Sequence, residues 1–188
     1  MYTGIRKLLP GMILAFVLVS PASIGPALSR AATNQAGFVK QDLNLTNRIR
    51  HELVMLPFYG VFDNLGFVIE GSNAVVLTGQ VVRPILKSDA EAVVRRIKGV
   101  SKVVNNIEVL PLSRFDDDIR LRVYRAIYWR SGFEKYALQA NAPIKIIVKN
   151  GNIKLEGMIG SQMDKTIAVI AARSIPGAFS VVDNLKIG

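Results

Sequence analysis

The chain has 188 residues, half of them hydrophobic and a fifth charged, with a formal net charge of +10, no cysteine and one histidine. A packed interior is affordable and wholesale disorder is excluded. So are disulfides, thiolate metal sites, thiol nucleophiles and a lipoprotein anchor, and His51 alone is too little for a zinc centre or a histidine-based triad.

The first segment reads as a targeting leader. Arg6 and Lys7 form a positive start, Leu8 to Val19 an apolar core, and Ser29-Arg30-Ala31 places small residues where a signal peptidase reads them. The expectation is a signal peptide over 1–31, cleaved after Ala31, then a linker over 32–43. The alternative is an uncleaved N-terminal membrane anchor, against which Pro10, Gly11, Pro21, Gly25 and Pro26 interrupt the apolar run. Cleavage removes Arg6, Lys7 and Arg30 and leaves a basic chain suited to anionic surfaces.

Asn44 can cap a helix running to about Leu56, with Leu45, Ile49, Leu53 and Leu56 on one stripe. Leu65–Glu70 and Ala74–Val82 are β-rich runs joined at Gly71-Ser72-Asn73, a hairpin signal. Pro84 suits the first turn of a helix carrying Ala90, Val93, Val94 and Ile97, closed by Gly99 and followed by a strand over Lys102–Leu110.

A second run of elements follows Pro111-Leu112-Ser113. Asp116-Asp117-Asp118 favour a helix N-terminus through the macrodipole, and Ile119, Val123, Ala126 and Ile127 form its inward stripe. The segment Trp129–Ala142 has no assignable conformation. Pro143–Lys149 and Asn152–Ile159 flank Asn150-Gly151, the strongest hairpin signal in the chain. A helix over Ser161–Ser174 and a strand over Ser180–Ile187 complete the unit.

The two runs are copies. An offset of 78 aligns Asn73–Val109 with Gly151–Ile187 without a gap, matching Leu77 with Leu155, Gly79 with Gly157, Gly99 with Gly177 and Asn106 with Asn184. Upstream the offset shortens to 70, pairing Ile49-Arg50 with Ile119-Arg120. The expected fold class is α+β: two tandem αββαβ modules over 44–111 and 114–188, each a small three-stranded sheet with two helices on one face. Leu77 and Leu155 are inward strand residues. Gly79 and Gly157 are read as tight strand-to-helix passages, Gly99 and Gly177 as helix C-caps, and Asn106 and Asn184 as side chains holding backbone groups.

The signature Val75-Val76-Leu77-Thr78-Gly79, Ile97-Lys98-Gly99 and Val103-Val104-Asn105-Asn106-Ile107 recurs as Ile153-Lys154-Leu155-Glu156-Gly157, Ile175-Pro176-Gly177 and Val181-Val182-Asp183-Asn184-Leu185. In both copies it resembles the BON family (bacterial OsmY and nodulation), across roughly Leu45 to Ile187. The resemblance implies the αββαβ fold, a periplasmic location, attachment to membranes through phospholipid, roles in osmotic or envelope stress, and no catalysis. Pro176 and the long segment Trp129–Ala142 depart from the pattern.

The binding candidate is the helix from Ile119. At 100° per residue, Leu121, Tyr124 and Tyr128 face away from its inward stripe, flanked by Arg120, Arg122 and Arg125 and ending on Trp129 and Arg130. Amphipathic aromatics beside arginines suit a headgroup boundary, and packing of the same residues against the first module is the competing outcome. The expected partner is an anionic phospholipid surface, with no cofactor, metal or nucleic acid. The alternatives are binding of another envelope protein or of a second copy and, as a third class, a hydrolase with a distant carboxylate pair.

Overall fold

The computed structural model describes residues 43–139 and 141–188. The expected signal peptide and almost all of the expected linker lie outside them. Among the described residues no helix is long and apolar enough to cross a membrane.

The first module opens with helix α1 over 43–54. The hairpin β1 (Asn64–Glu70) and β2 (Ala74–Val81) follows, then α2 (Pro84–Arg95), β3 (Lys102–Asn105) and β4 (Glu108–Val109). β1 pairs antiparallel with β2, while β3 and β4 lie parallel to β2 on its other side. The single last strand expected here is broken. Asn105 Oδ1 accepts the Ile107 amide at 3.2 Å, and its amide donates to the Lys87 carbonyl at 2.8 Å. Asn105, rather than the exposed Asn106, therefore holds the backbone. Asp183, its counterpart, accepts the Leu185 amide at 3.0 Å, while Asn184 bonds the Glu156 side chain.

The second module runs α3 (Arg114–Tyr128), α4 (Glu134–Ala137), β5 (Ile144–Lys149), β6 (Asn152–Ile159), α5 (Gln162–Arg173) and β7 (Ser180–Ile187), with β6 central between β5 and β7. The short α4 resolves the unassigned segment. Phe133 and Tyr136 plunge into the second core, and the Tyr136 hydroxyl donates to Asp164 at 2.7 Å. Each module has its own core, with Leu77 and Leu155 fully buried at matching central-strand positions.

Gly79 and Gly157 lie within β2 and β6, not at strand-to-helix passages. A Cβ at Gly79 would stand 2.0 Å from the Asn64 carbonyl oxygen, and at Gly157 1.9 Å from that of Pro143. The bare backbone lets the hairpin partner approach that closely. Gly99 and Gly177 have φ of +103° and +88° in the turns after α2 and α5.

The modules are joined by more than Pro111–Ser113. The connection 57–63 of the first reaches the outer edge of β5, where the Ile146 amide donates to the Val61 carbonyl at 2.8 Å. Val61 and Phe62 pack on the second core. Buried Lys145 donates to the Gly60 carbonyl at 2.9 Å and to Asn141 at 2.7 Å, and lies 4.1 Å from the centre of the Tyr59 ring. Burial pushes its ammonium down to about 8, against the opposing pull of the Asp63 carboxylate. Burial pushes Asp63 up, opposed by the amides of Val82 and Gly60 that it accepts at 2.8 and 3.0 Å.

Candidate functional site

Helix α3 is built to be held on two sides. Ser113 caps it, accepting the Asp116 amide at 3.1 Å. Asp116 is not a solvated member of an acidic first turn. It is fully buried and accepts the amides of Asn150 and Gly151 at 2.9 and 2.7 Å, fixing the β5–β6 turn to the helix. Ile119, Val123 and Ile127 enter the core as their spacing predicts.

Two of the expected surface residues are inside. Arg120 is 2% exposed: its guanidinium donates to the Val148 carbonyl at 2.6 Å and pairs with Asp117. Tyr128 is 3% exposed, and its hydroxyl donates to the Ile144 carbonyl at 2.7 Å and accepts the Ile144 amide at 3.2 Å. The reason is shared. β5 is an edge strand whose outward backbone groups have no neighbouring strand, and α3 satisfies them with these side chains. Burial also pushes the Tyr128 hydroxyl up. Tyr124 is half-buried, its ring 5.0 Å from Tyr128 and edge-on to Phe62 of the first module at 6.2 Å.

What remains outside is a narrower face. Leu121 is 46% exposed and Trp129 73% exposed. Arg125 lies over the Trp129 ring, 5.6 Å from its centre, and Arg122 pairs with Asp118 at 2.5 Å. Leu121 sits at the meeting of two shallow depressions. One, of about 210 Å³, is lined by Phe62, Tyr124, Tyr128 and Ala137; the other, of about 290 Å³, by Phe58, Arg83, Asp117 and Arg120. Phe58, 65% exposed, lies under the Arg83 guanidinium at 4.8 Å. Sequence reasoning missed both residues. The signal was three aromatics, Phe58, Tyr59 and Phe62, in one short connection where a loop needs none. The surface thus spans both modules, with an aromatic ring beneath an arginine at each end and Leu121 between.

Among the described residues no three His, Asp or Glu side chains converge as metal ligands. His51 is exposed on α1.

The family model of the BON domain matches residues 41–111 and again 115–188. No curated protein matches significantly. A solved structure of CdsD, a structural protein of the Type III secretion system of Chlamydia trachomatis, is similar at 14% identity and a TM-score of 0.30, covering 77% of this chain and 93% of that one. The C-terminal domain of CdsD gives 14% identity and a TM-score of 0.27, covering 76% and 96%.

Proposed function

Since the chain belongs to the BON-domain family, with two copies of the domain, we propose that it is an exported, non-enzymatic envelope protein that associates with anionic phospholipid surfaces through the outward face of α3. The observation that carries this reading is the pair of exposed arginine-covered rings, Arg125 on Trp129 and Arg83 on Phe58, on either side of Leu121. Rings with an apolar body seat at the headgroup boundary, and guanidinium groups beside them meet phosphates. Each arginine near an anionic surface contributes about 1 kcal/mol. The basic balance that remains after loss of Arg6, Lys7 and Arg30 favours the same partner.

The test is co-sedimentation with phosphatidylcholine vesicles, with and without phosphatidylglycerol, at low and high salt. The chain is expected to sediment with the anionic vesicles, and Arg122→Glu with Arg125→Glu to abolish this while circular dichroism stays unchanged. Parent-like sedimentation of the folded double variant, coupled with loss of a protein partner or of a dimer, would establish the interaction-module alternative instead.

A further inference from the structure

The two modules differ in one respect that their common fold does not require. Register matches Phe67, opposite Leu77, with Ile146, opposite Leu155; Leu65 and Ile69 then match Ile144 and Val148. In the second module these positions are fully buried, whereas Leu65, Phe67 and Ile69 are only half-buried. The outer edge of β5 is closed by Tyr128 at Ile144, by the Val61 carbonyl at Ile146 and by Arg120 at Val148. Among the described residues β1 pairs with β2 alone, and of its outward amides that of Leu65 faces the Tyr59 hydroxyl. A groove of about 600 Å³ runs between its outer edge and α1, lined by Arg50, Leu53, Val54, Tyr59, Leu65 and Phe67. β1 also lacks the lysines, prolines and bulges that commonly blunt an edge.

Among the described residues the charge beside this groove is uncompensated. Arg50 is the counterpart of Arg120 at the offset of 70, and Asn47 is the counterpart of Asp117. Arg120 has a carboxylate; exposed Arg50 has only the Asn47 amide oxygen at 3.5 Å, and among the described residues no carboxylate pairs with it. Asp116 is likewise replaced by Thr46. At these two positions the first module thus lacks the carboxylates of the second.

We propose that the outer edge of β1 binds an extended segment of a partner polypeptide by strand addition, with a carboxylate of that segment paired to Arg50. The main-chain groups of β1 supply affinity, and the apolar lining takes alternate side chains of the incoming strand. Arg50 selects an acidic segment through a charge-assisted hydrogen bond. The occupied edge of β5 shows which elements such a guest needs: a carbonyl for the middle amide and a hydrophobic cover. A second copy is disfavoured as the guest because this chain is itself strongly basic. The surface is separate from the face of α3, so neither reading depends on the other.

The experiment uses the full chain and two labelled peptides, one alternating valine with glutamate and one alternating valine with lysine. The glutamate peptide is expected to bind at least tenfold more tightly, and to slow hydrogen exchange at the amides of Phe67 and Ile69. Arg50→Gln should weaken it at least tenfold, while Lys186→Gln, which removes an exposed charge from β7, should change affinity less than twofold. Equal binding of both peptides, protection elsewhere, or indifference to Arg50→Gln would overturn the proposal. So would self-association of the chain alone that protects the same amides, since the guest would then be a second copy.

Discussion

The amide of Ile146 donates to the carbonyl of Val61 at 2.8 Å, and through that bond the first module supplies the neighbour that the outer edge of β5 lacks. Phe62 follows it onto the second core and meets Tyr124 edge-on. The two modules should therefore unfold as one. Phe62→Ala is expected to destabilise the second module by about 2–4 kcal/mol, read from urea unfolding followed at Trp129. Parent-like stability of that variant, or two separate transitions in the parent, would show that the junction is loose.

Leu77 and Leu155 stand at matched positions, both fully buried in the central strands of their sheets. Either change to alanine should cost roughly 2–5 kcal/mol. Calorimetric or urea measurements giving well under 1 kcal/mol for both would contradict the register that defines the repeat.

Gly79 and Gly157 have φ of +115° and +116°, and a methyl group at either would overlap a carbonyl oxygen of the paired strand. Gly79→Ala and Gly157→Ala are each expected to cost more than about 3 kcal/mol, combining backbone strain with the steric clash. Gly132→Ala, where a Cβ would meet no atom within 4 Å, should cost less although its φ is also positive. Equal losses at the three positions would mean that strain alone, rather than close approach, governs them.

Lys145 gives a pH signature. In the folded chain its proton leaves near pH 8, while in the unfolded chain it is held to about 10.5. Between those values the unfolded state binds the additional proton, so the contribution of Lys145 to stability increases as pH rises through that window. Tyr128 and Tyr59, both pushed up by burial, act in the opposite direction above about pH 10, where the unfolded tyrosines ionise first. Lys145→Met should flatten the rise in urea midpoint between about pH 8 and pH 10. An unchanged slope in that variant would show that another group sets it.

The repeat and both hairpins were legible because they rest on local chemistry. Asn150-Gly151 and Gly71-Ser72-Asn73 take the turns their dipeptides favour, and Asn73 and Asn150 do adopt positive φ. The face of α3 was only partly legible. Helical periodicity assigns one buried side, yet α3 is covered on two. Arg120 and Tyr128 follow the demand of an edge strand for hydrogen-bond partners, which no spacing within the helix reveals. Asp116 was misplaced for a similar reason: its partners, Asn150 and Gly151, lie far along the chain. Phe58 and Arg83 were invisible as surface residues because their neighbour Leu121 belongs to the other module.

Trp129 is the only tryptophan in the chain and lies 73% exposed on the proposed membrane face, so its fluorescence reports on that face without any substitution. Titration with vesicles containing phosphatidylglycerol should move its emission to shorter wavelength and protect it from an aqueous quencher, as expected for a ring seated at the headgroup boundary. Neutral vesicles should leave it unchanged. An emission maximum that stays fixed at lipid concentrations that sediment the chain would contradict the assignment of this face to the membrane.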